Sequence, residues 1–199
     1  SCSLVGSEMC IRDRPYDCEK IMEIANRYDI PVIEDAAEGF GSKFDGKVLG
    51  TFGKFGVFSF NGNKMITTSG GGALICQNAE DKNTVMWYAT QARDAYPYYE
   101  HTAIGYNYRM SNICAGIGRG QMTVADAHIA HHKHVQALYE ELLKDVVGVH
   151  IHKQPVDSRY DANFWLCTAI LDSDVKIVGQ EKAYKEVIKT AVGLSLIHI

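Results

Sequence analysis

Between Pro15 and Pro31 apolar residues recur at helical spacing, at Ile21, Ile24, Ala25 and Tyr28. This predicts an amphipathic helix with Pro15 in its first turn and Pro31 as its stop. Val32 and Ile33 form a short apolar run ending in Glu34 and Asp35, which reads as a buried strand with two acids at its C-terminal end. A glycine-rich loop follows, with turn signals at Asp45-Gly46 and at Gly50. Residues 55–60 and 72–76 read as the second and third strands. Asn78 then caps a helix reaching to about residue 93, with Asp81 in its first turn. Residues 94–108 form an aromatic-rich loop. Ser111 and Asn112 open a helix weakened by Gly116, Gly118 and Gly120. A longer helix over about 123–145 carries an apolar stripe of Ile129, Val135, Leu138, Leu142 and Leu143. A strand over 164–171 and a helix over 180–190 complete the pattern. This succession of helices and strands is α/β grammar. The polar stretch 154–161, which contains Pro155, predicts a domain boundary.

Composition narrows the function classes. Of 199 residues, 46% are hydrophobic and 22% charged, as in an ordinary globular chain. The net charge of −4 offers no electrostatic footprint for nucleic acid and no basic cluster for an anionic membrane. No window approaches the roughly 18 consecutive apolar residues of a membrane span. The six cysteines are scattered, with no C-x-x-C pair, so they read as reduced cytosolic thiols. His128, His131 and His132 share a helix face, with His134 nearby. No acidic general base stands among them as in H-E-x-x-H, so they read as a solvated face and no metal site is assigned.

Both ends lack helical or strand periodicity. Residues 3–14 and 194–199 resemble translated read-through of a sequencing adapter. The expectation is that 1–14 and 194–199 are non-native tails outside the core, and that the native stretch is an internal piece of a longer protein.

Two positions carry candidate chemistry. Ligands of α/β sheets collect beyond the carboxyl ends of strands. Asp35 stands there, followed by the small Ala36-Ala37, although a simple turn cap is an equal reading. Lys64 ends the turn Ser59-Phe60-Asn61-Gly62-Asn63-Lys64 and precedes a small-residue loop at 67–72. A lysine behind a buried strand is readily desolvated, which favours the neutral amine that attacks carbonyls. The plain alternative is a surface turn lysine. Ser59 offers a hydroxyl to a phosphate.

Taken in order, five blocks make a more specific pattern than any one of them. They are 32–38 (VIEDAAE), 49–53 (LGTFG), 58–64 (FSFNGNK), 67–72 (TTSGGG) and 105–111 (GYNYRMS). Together they resemble the DegT/DnrJ/StrS-type sugar aminotransferases, which use pyridoxal phosphate. The resemblance covers nearly all of 15–192. It implies an α/β fold of the type I pyridoxal-phosphate class, a mostly parallel sheet flanked by helices. Part of the large domain would occupy 15–150, and the start of a small C-terminal domain 151–193.

The resemblance also implies roles. Lys64 matches the family's Schiff-base lysine, and Asp35 the carboxylate that pairs with the pyridinium nitrogen. Glu38 matches a position beside the ring and its 3′ oxygen. Ser59 matches a phosphate-binding hydroxyl. Asn107 matches a residue reaching the phosphate of the neighbouring subunit, which makes a cytoplasmic homodimer with shared sites the implied assembly. Arg109, in the same block, is assigned a structural role. Related dehydratases carry histidine where this chain has Lys64, so lysine favours transamination. The implied reaction moves an amino group, from glutamate, to a keto group on a nucleotide-linked sugar. The wording of 60–64 and 68–72 points to UDP-4-keto-6-deoxy-N-acetylglucosamine. An inactive fragment or a sensor homologue of the same fold is the alternative. The resemblance further places a phosphate-binding helix N-terminus and a ring-stacking side chain ahead of this chain. Alone, residues 1–199 are therefore expected to be poorly soluble and to hold the cofactor weakly.

Overall fold

The computed structural model describes residues 13–173. The Asp17 carboxylate accepts the Lys20 N–H at 3.1 Å and opens α1, Cys18–Arg27. Pro15 therefore lies ahead of the helix and not in its first turn, because the aspartate cap sets the start. Cys18 and Ala25 are buried, whereas Ile21, Ile24 and Tyr28 of the predicted stripe are exposed. The helical period is as read, but among the described residues nothing covers most of that apolar face.

Strand β1 (Ile33–Asp35) pairs in parallel with β4 (Phe55–Ser59), with Asp35 opposite Val57. Strand β5 (Gly72–Cys76) pairs antiparallel with β4, with Val57 opposite Leu74 and Ser59 opposite Gly72. One face of this sheet carries Phe58, Ala73 and Ile75. It packs on a core of Cys18, Ala36, Phe44 and Leu49. The other face carries Ile33, Asp35, Val57 and Leu74 and is exposed.

The buried-strand reading of 32–35 is corrected here. Ile33 is 62% exposed, and the acid Glu34 is the buried member at 5%. The reason is polar satisfaction. The Glu34 carboxylate accepts the backbone N–H groups of Gly50 at 2.8 Å, Phe52 at 2.5 Å and Gly53 at 2.7 Å, and the Tyr16 hydroxyl at 3.1 Å. A buried carboxylate is tolerated when its acceptor sites are filled in this way. Burial first, then the Glu34 charge, push the Tyr16 hydroxyl well above its ordinary range, so it remains a donor. The loop must also come close. A Cβ at Gly56 would collide with the Gly50 carbonyl, and Gly50 itself has φ +84°, so both positions require glycine.

Glu34→Ala would strand three loop N–H donors. The expected loss is about 3 kcal/mol of unfolding free energy, read by denaturant titration. Glu34→Gln, which keeps an acceptor, loses less. A Glu34→Ala loss within about 0.5 kcal/mol, the range of ordinary surface changes, would remove this role.

A second sheet joins β2 (Lys43–Phe44), β3 (Lys47–Val48) and β7 (Tyr160–Asp161) in the order β3-β2-β7, all antiparallel. The Asp45-Gly46 signal is the turn of the β2–β3 hairpin. Pairing of β2 with β7 carries contacts across position 150. Phe44 anchors this sheet to the core through edge contacts with Phe52 and Tyr160. Strands β6 (Val149–Ile151) and β8 (Ala169–Leu171) form a separate antiparallel pair. The predicted strand at 164–171 thus shrinks to its last three residues, because Phe164 and Trp165 are buried in a non-strand segment.

Three further helices follow the sequence signals more closely. Helix α2, Ala79–Ala89, is capped by Asn78, whose side chain accepts the Asp81 N–H at 2.8 Å. It stops short of residue 93. Helix α3, Asn112–Met122, is capped by Ser111. Helix α4, Ala125–Leu142, buries Ala125 and Gln136, while Leu138 and Leu142 of the predicted stripe are exposed. Among the described residues no helix is long and apolar enough to cross a membrane.

The expectation that 1–14 stays outside the core fails for its last two residues. Asp13 and Arg14 are both buried. Arg14 pairs with the Asp13 carboxylate at 2.5 Å and donates to the carbonyls of His152 and Leu166. Its guanidinium lies 4.4 Å from the Phe164 ring centre. The Asp13 carboxylate accepts the Leu166 N–H, and the Ser42 hydroxyl donates to the Asp13 carbonyl. The rest of that tail, the tail at 194–199 and the predicted helix over 180–190 lie outside the described residues.

Candidate active site

Parallel pairing of β1 and β4 brings their C-terminal ends to one edge of the sheet, with Asp35 on one strand and Ser59 on the other. Strand alternation puts Asp35, Val57 and Ser59 on the same exposed face. Asp35 accepts the Ala37 N–H at 3.1 Å, so the turn-cap reading describes one of its contacts. The Ser59 hydroxyl lies 3.4 Å from the Asn61 N–H.

The chain then turns through 61–66. Lys64 donates its backbone N–H to the Asn61 carbonyl at 3.1 Å, and the next two residues, Met65 and Ile66, are buried. This pins the turn from inside and leaves the lysine stem in a fixed position. Helices α3 and α4 hold it from behind. Gln121 accepts the Thr67 N–H at 3.2 Å, and a His128 ring nitrogen lies 3.4 Å from the Met65 carbonyl. Past the turn, Thr68 is buried, and its N–H donates to the Phe60 carbonyl at 2.9 Å.

Lys64 is therefore not a surface turn lysine. Its side chain is 14% exposed, and Nζ donates to Glu38 Oε1 at 2.7 Å. Nζ also stands 4.6 Å from the centre of the Trp165 ring. Glu38 sits three residues beyond Asp35 on the segment leaving β1. An amine in contact with a carboxylate, on segments that leave two neighbouring strand ends, can engage a carbonyl compound.

Of the candidate residues, the structure brings Lys64 and Glu38 into direct contact and sets Asp35 and Ser59 on one sheet face. Asn107 lies elsewhere, exposed in the 94–108 loop, where it forms a bridge with Thr90 and accepts the Arg109 N–H at 3.3 Å. None of these five lines the cavity of about 620 Å³ at the opposite sheet edge, which is bounded by Met22, Asn26, Val32, Lys47, Lys54 and Gln77 among others.

The histidines correct one expectation. His131 and His134 are exposed, but His128 and His132 are half-buried, so the cluster is not a fully solvated face. Burial first, then the neighbouring His131, lower the His132 pKa and favour its neutral form. Among the described residues no three histidine, cysteine, aspartate or glutamate side chains converge as metal ligands.

The residues missed from the sequence are Glu34, Asn163 and Trp165. Trp165 lies at the start of the strand predicted over 164–171 and Asn163 just ahead of it, and their only signal was a tryptophan in a short apolar run, one of two in the chain.

A model of the DegT/DnrJ/EryC1/StrS aminotransferase family matches residues 11–197. The chain is 42% identical over 155 residues to EpsN of Bacillus subtilis (strain 168), covering 78% of this chain and 39% of that protein. It is 40% identical over 154 residues to the GDP-perosamine synthase of Escherichia coli O157:H7, covering 76% of this chain and 42% of that protein. The chain thus spans about two fifths of the length of these curated relatives. Among solved structures, the aminotransferase TlmJ from Streptoalloteichus hindustanus matches with a TM-score of 0.79 and 23% identity, over 88% of this chain and 48% of that one. That likeness is one of fold.

Proposed function

The chain belongs to the DegT/DnrJ/EryC1/StrS aminotransferase family, and from that premise we propose that it carries the cofactor-binding part of a pyridoxal-phosphate-dependent sugar aminotransferase. Its α/β fold is that of the type I class. The observation that carries the proposal is the Lys64 amine, held 2.7 Å from the Glu38 carboxylate in a pinned turn beside the carboxyl edge of β1 and β4.

The residues fit the cofactor by their chemistry. Lys64 offers the amine, Asp35 a carboxylate for a ring nitrogen, Glu38 a partner for the amine and a ring oxygen, and Ser59 a hydroxyl for the phosphate. Pyridoxal phosphate, when bound, supplies an aldehyde and a ring that draws electron density from the α-carbon of an amino acid. The chain's own residues do the rest. Glu38 Oε1 accepts a hydrogen bond from Nζ and so holds the amine at a fixed place beside the segment that leaves β1. The same nitrogen can later carry a proton to and from a bound substrate. Asp35, ionised, stabilises positive charge on a ring nitrogen.

The substrate we propose is UDP-4-keto-6-deoxy-N-acetylglucosamine, with glutamate as amino donor. The blocks at 60–64 and 68–72 support it, and the perosamine relative supports a nucleotide-linked sugar more broadly. Exposed Asn107 is proposed to meet the phosphate in a second copy, which makes the working unit a homodimer. The experiment is reductive trapping. Pyridoxal phosphate followed by borohydride should add a phosphopyridoxyl mass to the peptide containing Lys64. A label spread over surface lysines with none on Lys64 would overturn the assignment.

A further inference from the structure

Two residues distant in sequence from the Lys64–Glu38 pair hold both of its members. Trp165 is 5% exposed and lies with its ring 4.6 Å from Lys64 Nζ. Its indole Nε1–H donates to the carbonyl of Asn63, the residue before Lys64, at 2.7 Å. One side chain therefore grips the backbone of the turn and presents an aromatic face to the amine at its tip. Asn163 is fully buried, and its Nδ2 donates to the carbonyls of Glu38 and Phe40, each at 2.8 Å. Its backbone N–H donates to Ser42 Oγ at 2.9 Å, and its Oδ1 accepts the Trp165 N–H at 2.8 Å. Asn163 is thus tied to the backbone beneath the carboxylate and Trp165 to the backbone beneath the amine, and the two are bonded to each other.

The residue between them is held in an uncommon conformation. Phe164 has φ +53°, in the left-handed region that a phenylalanine rarely occupies. It persists because its neighbours over-determine it: Arg14 covers its ring, and Asn163 and Trp165 are bonded on either side. This backbone turn is what lets Asn163 face the segment after β1 while Trp165 faces the Lys64 turn. The negative face of an indole attracts an ammonium, so the ring restrains where Nζ stands and shields it from reagents on that side.

We infer that Asn163 and Trp165 are positioning residues for the Lys64 amine and the Glu38 carboxylate, with the Trp165 ring setting the place of Nζ. The inference rests on the proposed role of Lys64 as the reactive amine. Acylation by a small neutral reagent tests it without the cofactor. The 199-residue chain is treated with the N-hydroxysuccinimide ester of acetic acid, and labelling is read at each lysine by peptide mass spectrometry. Exposed Lys43 and Lys82 serve as references. Trp165→Leu removes the ring face and the indole donor, and labelling of Lys64 should rise about tenfold relative to the references, as expected when a held group is released. Trp165→Phe keeps an aromatic face and loses only the donor, so Lys64 should stay within about threefold of the unmodified chain.

Unchanged Lys64 labelling in Trp165→Leu overturns the inference. So does a rise that comes with reaction of the fully buried Cys18 thiol with iodoacetamide, which is loss of fold, or equal labelling of Lys64 in the two variants. Borohydride trapping of pyridoxal phosphate on the unmodified chain is scored separately. Trapping on Lys64 without the acylation pattern keeps the proposed chemistry and removes the positioning role. The acylation pattern without trapping does the reverse.

Discussion

On the proposed function, Lys64→Ala is expected to abolish amino transfer and to leave the fold in place. The variant loses the nitrogen proposed to attack the aldehyde and later carry the proton, and no second lysine stands in the turn to replace it. Removing a covalent nucleophile costs about 10³-fold or more in turnover. The structural cost is smaller. The Lys64 side chain is 14% exposed, and its loss leaves Glu38 without one charged partner, about 2 kcal/mol for a charge-assisted hydrogen bond. Met65 and Ile66, which anchor the turn, stay in place. Turnover and a thermal melt, measured together on a preparation that catalyses amino transfer, separate the two effects. Lys64→Arg sharpens the comparison, since a guanidinium keeps the charge beside Glu38 and stays protonated, and so should be as inactive as alanine. Retained turnover in either variant would sink the aminotransferase reading.

Asp35→Asn should be the next most damaging change. An ionised carboxylate stabilises a protonated ring nitrogen, and an amide of nearly the same shape carries no charge to do so. A loss of about a hundredfold in turnover is expected, the scale seen when one electrostatic contact of a reacting centre is removed. Stability should change little. Asp35 is exposed, and an asparagine side-chain oxygen can accept the Ala37 N–H as the aspartate does. Cofactor trapping on Lys64 should survive, since the amine is untouched. A variant with near-normal turnover would reduce Asp35 to a turn cap.

Most element positions were legible because the signals that set them are local. Asn78 and Ser111 each satisfy an N–H three residues on, and the helices begin there. Strand β5 spans the predicted 72–76, and β4 ends one residue short of the predicted 60. Which face of an element is covered was not legible. Ile21, Ile24, Ile33, Leu138 and Leu142 all fit apolar stripes and all are exposed. A period says that two residues share a face, but only the partner element decides whether that face meets protein.

The candidate site divides along the same line. Asp35, Ser59 and Lys64 could be singled out because strand ends and small-residue turns are short-range features, and the ordered blocks around them carried the family resemblance. The chain by itself thus determined the four helices α1–α4 and the strands β1, β4 and β5, the order of the blocks and the presence of an amine, two carboxylates and a hydroxyl, whereas the two- and three-residue strands β2, β3, β6 and β7 were too short to show a period. Tertiary structure decided that Glu34 is buried while its neighbours are not, because three loop N–H groups converge on it from 50–53. It also decided that Lys64 rests on Trp165, 101 positions away, and pairs with Glu38. Hydrogen bonds and ring contacts across such distances leave no period in the sequence. They depend on which segments meet once the sheet and its surrounding loops have closed, and burial is a property of that meeting and not of either segment alone.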